Sequence, residues 1–277
     1  ISGVYINKPT EMYQGLFGNM QGISKTNRNN IENLKINNVS INGAEKTGGI
    51  IGCAENVIIN KCATLYGNIV GVSNTSKVNS SWIRTSVTGG ITGQLSNDCI
   101  IKNCYNGANI FGTDGTGSSK NNVGGICGAS STSSILMNCY NTGNISGDFY
   151  IGGITGDGVI IENCYNTGNI SGYSMVGGIV GSEQNNDNSS LNNCYSQGII
   201  RGNYNAGGII GYMWKPDTNI TSCSYLTGTA LKGIGEVRNG TATIEPSNDL
   251  PSVLSVINGD NAFTTDSEGN IVLKFEN

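Results

Sequence analysis

Asn138-Cys139-Tyr140-Asn141-Thr142-Gly143-Asn144-Ile145-Ser146-Gly147 recurs without change at 163–172. Two identical runs about 25 residues apart mark a repeat architecture, whose units cannot bury their own apolar side and become stable by stacking on their neighbours. Working outward, the triplet Gly-Gly-Ile, followed by one residue and Gly, begins at Gly48, Gly89, Gly124, Gly152, Gly177 and Gly207. Gly15-Leu16-Phe17-Gly18 is an earlier variant copy. A second element, Ile/Leu-x-Asn-Cys-Tyr or a relative, carries Cys62, Cys104, Cys139, Cys164, Cys194 and Cys223, with Leu34 in that slot of the first copy. A third, Asn-Ile-x-Gly or a relative, carries Ile41, Ile69, Ile110, Ile145, Ile170 and Ile200, with Ala230 last.

Each repeat thus holds three short apolar elements separated by Gly and Asn turns. Elements this short are strands, since helices need about ten residues or more. The pattern predicts an all-β fold: a parallel β-solenoid with three faces per turn and about seven coils, stacked about 4.8 Å apart into a rod about 35 Å long. It extends over 1–230. The segment 231–277 breaks the repeat and is expected to cap the carboxyl end, because a bare last coil would expose strand edges. There, Pro251 in the first turn and Gly259 at the end bound a short helix, and Ile271-Val272-Leu273-Lys274-Phe275 reads as a strand.

Composition agrees. Of 277 residues, 42 are Gly and only 12% are charged, with a net charge of −4; about 40 Asn add to the supply of turn formers. Collagen is excluded, because glycine has no three-residue period. No basic nucleic-acid footprint appears, and no run of 18 apolar residues suggests a membrane-spanning helix. The chain has no His, which removes His-based triads and the usual zinc-hydrolase motifs. It opens on Ile1-Ser2-Gly3, which matches a third element and reads as the inside of a longer array.

In-register stacking predicts three inward columns: Leu16-Ile50-Ile91-Ile126-Ile154-Ile179-Ile209, Ile59-Ile101-Leu136-Ile161-Leu191-Ile220, and Ile41 to Ile200. Strand alternation then places Thr92, Cys127, Thr155 and Val180 on a partly exposed face. Asn103, Asn138, Asn163 and Asn193 precede the cysteines and read as a corner ladder, since Asn tolerates the left-handed conformation and stacked amides bond one another; a cation or sugar site is the alternative. One cysteine per coil, without CxxC, reads as a packed column of reduced thiols rather than a metal site, although coil spacing permits disulfides. Cys53, Cys99 and Cys127 lie off that column.

Tyr105, Tyr140, Tyr165 and Tyr195 should alternate outward, with Tyr225 one residue late. Such a stripe either stabilises the wall by cross-strand stacking or binds sugar rings or a partner protein. Trp82 and Trp214 fall in insertions, as contact residues or folded back on the coil. Insertions lie at about 19–30, 72–88, 113–122, 183–190 and 212–219, where repeat proteins often place binding function.

The Gly15-Leu16-Phe17-Gly18 element, the Gly-Gly-Ile-x-Gly repeats and the runs at 138–147 and 163–172 resemble GLUG-motif repeats, over most of 1–230. The resemblance implies a β-helical stalk or adhesive module of a bacterial cell-surface or secreted protein, and GLUG repeats also form the non-catalytic part of some immunoglobulin A peptidases. The metallopeptidase of those enzymes needs histidine ligands, so its activity does not carry over. Solenoids also host polysaccharide hydrolases and lyases, but Asp157, Glu162, Glu183, Asp187, Asp98 and Asp114 form no clustered carboxylate motif of the kind hydrolysis requires, and Lys102 and Arg201 have no acidic company. The expectation is a non-enzymatic, extracellular, monomeric module without cofactor or metal, whose partner is a host extracellular protein or a glycan.

Overall fold

The computed structural model describes residues 1–73, 86–113, 121–130, 133–158, 160–183, 189–214, 219–238 and 240–276. Successive coils stack as parallel, in-register ladders, forming a parallel β-solenoid. The strands that begin at the Gly-Gly-Ile corners, from Phe17–Gln21 to Ile234–Val237, form an eight-stranded sheet. Those of the second element, from Asn29–Glu32 to Asn219–Thr221, form a seven-stranded sheet. The third element builds a ten-stranded wall that includes Val39–Ala44, Gly67–Val72, Ile145–Gly152, Ile170–Gly177 and Ile200–Gly207.

A fourth ladder joins the three apolar elements. It consists mostly of two-residue strands, among them Tyr105–Asn106, Tyr140–Asn141, Tyr165–Asn166 and Tyr195–Ser196. Two residues offer no periodicity to read, which is why this side of the coil is invisible to pattern alone.

The three inward columns are in place. Ile50, Ile91, Ile126, Ile154, Ile179 and Ile209 are fully buried, as are Ile59, Ile101, Ile69 and Ile110, each core side chain contributing about 1.5–3 kcal/mol by leaving water. Leu16 and Ile220, near the two ends, are half-buried.

One expectation is corrected. Thr92, Cys127 and Thr155 are fully buried and Val180 nearly so, in a column they share with Ile51 and Ile210. The chain bends at the Gly-Gly-Ile corner, so alternation counted from the Ile does not hold across it, and both residues face the interior. The column accepts polar atoms because each is satisfied by its own strand: the Thr155 hydroxyl donates to Asp157 O at 2.7 Å and the Cys127 thiol to Ala129 O at 3.0 Å.

The Asn corner is confirmed. Asn103, Asn138, Asn163 and Asn193 have φ of 55°, 52°, 53° and 53°, the left-handed region that Asn tolerates. Their amides bond along the axis, with Nδ2 of Asn138 donating to Oδ1 of Asn103 at 3.2 Å and Nδ2 of Asn193 to Oδ1 of Asn163 at 3.1 Å.

A second amide ladder runs inside the coil. Fully buried Asn106, Asn141 and Asn166 bond one another at 2.8 Å and donate as well to the carbonyls of Ala108, Gly143 and Gly168. It accounts for the second glycine of the triplets at Gly89, Gly124 and Gly152. A β-carbon on Gly125 would lie 2.2 Å from Gly153 O and 2.6 Å from Asn141 Cγ.

All nine cysteines are buried free thiols. In the column each thiol donates to the carbonyl two residues before it, at 3.1–3.3 Å. Cys99 occupies the place that Ser134 fills one rung on, and burial pushes its thiol up to about 11. Cys53 lies against the Ser96 hydroxyl.

Segment 231–277 does two things. Ile234–Val237 and Pro246–Ser247 add last strands to the Gly-Gly-Ile and Tyr ladders. The helix Leu250–Ile257, N-capped by Asp249 and ended at Asn258, and the antiparallel hairpin Phe263–Thr265/Ile271–Leu273 then fold back along the side of the rod.

Candidate functional site

The Tyr stripe is a stack of near-parallel rings. Tyr105 and Tyr140 are 4.8 Å apart at 5°, Tyr140 and Tyr165 4.9 Å at 1°, and Tyr165 and Tyr195 5.0 Å at 8°. The rung spacing sets these distances, since one ring stands on each in-register strand.

The rings point away from the solenoid interior, as alternation requires, but the stripe is not an open surface. The C-terminal helix and hairpin cover it: Val253, Ile257, Phe263, Ile271 and Leu273 pack with Tyr165 and Tyr195, which are 3% and 0% exposed. Phe275 lies 6.5 Å from Tyr140. The Tyr195 hydroxyl donates to Ile271 O at 2.5 Å, and the Tyr165 hydroxyl to the Glu276 carboxylate at 3.0 Å. Burial, reinforced by the Glu276 charge, pushes the phenols of Tyr140, Tyr165 and Tyr195 up. Burial likewise raises the Glu276 carboxyl, against the opposing bonds from Leu273 N–H and Tyr165. Only Tyr105, half-buried at the end of the stack, and Tyr140 beside it retain exposed surface.

Tyr225 takes a different direction. Its register places it beside Ser196 rather than Tyr195, and a one-residue shift sends a side chain to the other face of a strand. The ring lies in the core, at 3% exposure, where the Asn106–Asn166 ladder runs out.

Trp82 lies outside the described residues. Trp214 is half-buried, with Tyr212 5.2 Å from its ring and the Arg238 guanidinium 4.4 Å above it; it lies against the end of the Gly-Gly-Ile sheet. Asp157 and Glu162 sit on different ladders, Glu183 is buried on the Gly-Gly-Ile sheet, and Asp98 lies on a loop whose carbonyl accepts from Arg28. Lys102 lies on the second-element sheet and Arg201 on the ten-stranded wall. Asp114 and Asp187 lie outside the described residues. Among the described residues no group of three potential metal ligands converges, and no helix is long and apolar enough to cross a membrane.

The exposed aromatic surface is elsewhere. Phe149, Tyr173 and Tyr204 stand edge to face on three successive rungs of the ten-stranded wall, 5.5 and 5.3 Å apart. Tyr173 is 45% and Tyr204 58% exposed. They lie just before the in-register left-handed residues Tyr150, Met175 and Asn205, with φ of 52°, 57° and 51°, and a left-handed residue breaks the alternation that a sequence reading relies on.

A Bacteroides ovatus protein provisionally assigned as an immunoglobulin A1 protease is similar over 89% of this chain and 75% of its own, at 18% identity and a TM-score of 0.38. No family model matches the chain, and no curated protein matches it. At that TM-score the likeness carries no functional weight, and the GLUG resemblance rests on the repeat motifs alone.

Proposed function

We propose that this chain is a non-catalytic structural and adhesive module of a bacterial cell-surface or secreted protein, a rigid GLUG-type rod that holds a contact surface away from its anchor. The carrying observation is the in-register stack with an aromatic strip on its wall, half-buried Phe149 and exposed Tyr173 and Tyr204. The repeated buried polar side chains serve the stack: the amide ladders, the thiol column and the Thr hydroxyls bond to neighbouring rungs or their own strand.

A second reading, carbohydrate binding, is favoured by the strip itself. Exposed Tyr rings offer apolar faces with polar tips, and Asn203, Ser171 and Arg201 stand exposed around them. The test is a screen of the chain against glycans and immobilised host extracellular proteins, with a Tyr173→Ala/Tyr204→Ala variant and single Trp82→Ala and Trp214→Ala variants in parallel. Binding lost with the tyrosine pair supports a contact role for the strip, and a glycan hit selects the carbohydrate reading. Turnover of a polysaccharide would replace both readings with an enzymatic one.

A further inference from the structure

The seven-stranded sheet of the second element turns an apolar column outward. Ile59, Ile101, Leu136, Ile161 and Leu191 fill the interior, so strand alternation points the residue on either side of each away from the core. One outward column is Ile58-Ile100-Ile135-Ile160, and the other is Asn60-Lys102-Met137-Glu162-Asn192, both held in register from rung to rung. Ile58, Ile100, Ile135, Ile160 and Met137 are half-buried and packed into neither hydrophobic core. The C-terminal helix and hairpin cover the neighbouring Tyr ladder instead.

The charges on this face are arranged about its middle rung. Lys102 lies one rung before Met137 and Glu162 one rung after it, and among the described residues neither side chain has an ion pair within the chain. Asn60 and Asn192 stand two rungs out on either side. A two-fold axis laid along the central strand Ile135–Met137 keeps each column opposite itself and inverts the order of the rungs. Lys102 then meets Glu162 of a second copy, and Glu162 meets its Lys102. Ile135 faces its own counterpart, Ile100 faces Ile160, and Asn60 faces Asn192. Moving the axis one rung either way sets Lys102 on Lys102 or Glu162 on Glu162, and like charges directly opposite repel. Moving it half a rung leaves both charges without a counter-charge. A patch that is its own partner is what a closed two-fold interface requires.

We propose that this face is a homotypic docking surface: two copies of the chain pack with their rods antiparallel, second-element sheet against second-element sheet, about the strand Ile135–Met137. The apolar column supplies the contact, and Lys102 and Glu162 select the register. The seven rungs, three residues wide, span about 29 Å by 10 Å. That is less than the roughly 800 Å² per partner of a stable complex, so a single pair is weak and reversible, and many modules side by side hold by multivalency. Antiparallel rods are also what chains anchored on two facing cells would present to each other. That consequence rests on the adhesive reading, with another copy as the partner; the pairing itself does not.

The test is analytical ultracentrifugation of the full chain at concentrations up to about 1 mM. The expected result is a reversible monomer–dimer equilibrium. Lys102→Glu or Glu162→Lys alone sets like charges across the interface and is expected to weaken association at least tenfold, with an unchanged circular dichroism spectrum. The double variant Lys102→Glu/Glu162→Lys restores the complementary pattern and should return the affinity to within about threefold of the native value. Met137→Cys, placed on the axis, should link two copies under mild oxidation, whereas Thr221→Cys on the last rung should not. A chain still monomeric at about 1 mM, folded single variants that associate like the native chain, a double variant no better than either single one, or linkage through Thr221→Cys in place of Met137→Cys would overturn the proposal. Self-association without any glycan or host-protein hit would leave the pairing standing and remove the heterotypic partner; a hit on a strictly monomeric chain would do the reverse.

Discussion

Tyr195 of the repeat wall donates its phenol hydrogen to the main-chain carbonyl of Ile271 in the C-terminal hairpin, and this bond is buried. It ties together two parts of the chain with no repeat relationship. The same contact turns the most conspicuous motif of the sequence from an outer surface into an internal seam.

Tyr195→Phe keeps the ring stack and removes that bond, leaving Ile271 O unpartnered against an apolar ring. The expected cost is about 1–2 kcal/mol, confined to the docking of 250–276. Hydrogen exchange should quicken in the helix Leu250–Ile257 and the hairpin while amides of the inner ladders keep their protection. Equal acceleration throughout the rod would mean that the C-terminal segment and the solenoid open as one unit.

Docking should also depend on pH, with one sign. The buried phenols of Tyr165 and Tyr195 are raised above their ordinary value of 10. The folded state therefore holds protons that the undocked state releases, and the contribution, complete below pH 10, is lost as pH climbs above it. Glu276, raised from 4.5, acts in the same direction: the docked form is favoured while its carboxyl is protonated and loses that share as pH rises through the raised value. Tyrosinate absorbance should show the stacked rings of Tyr165 and Tyr195 titrating above the ordinary value, together with release of the C-terminal segment. A single titration of all twelve tyrosines at the ordinary value would contradict the buried seam.

Asn141 holds the middle of the inner amide ladder, donating to Asn166 and Gly143 and accepting from Asn106. Asn141→Leu should cost about 3 kcal/mol or more, because it leaves a buried donor on Asn106 and a buried acceptor on Asn166 without partners, each worth about 1–3 kcal/mol. Asn163→Gly at the corner should cost much less, since Gly adopts a φ of 53° freely. Denaturant midpoints of the two variants check the order.

The thiols should be slow to react. All nine are buried, and burial pushes Cys99, Cys104 and Cys127 upward, while the thiolate is the nucleophile. A disulfide-exchange reagent is expected to label none rapidly in the native chain and all nine after denaturation. Rapid native labelling of a column cysteine would show that the rungs open locally.

Much of the fold was legible because a solenoid repeats its physics. One residue type recurring at one position in every coil, Ile at the inward sites and Asn at the left-handed corner, announces its place, and both columns stand where the repeat put them. Reading failed where a local bend resets the alternation: Thr92, Cys127 and Thr155 are buried because the Gly-Gly-Ile corner turns two successive residues inward, and Tyr173 and Tyr204 are exposed beside the left-handed Met175 and Asn205.

What the sequence by itself determined is the stack: the β-solenoid, its inward columns, the corner ladder and the short helix before Asn258, all consequences of local periodicity and turn chemistry. What only the tertiary structure decided is which surfaces face water. Residues 250–276 lie far along the chain from Tyr140, Tyr165 and Tyr195, and nothing periodic links them; their meeting depends on the shape and apolarity of two assembled surfaces.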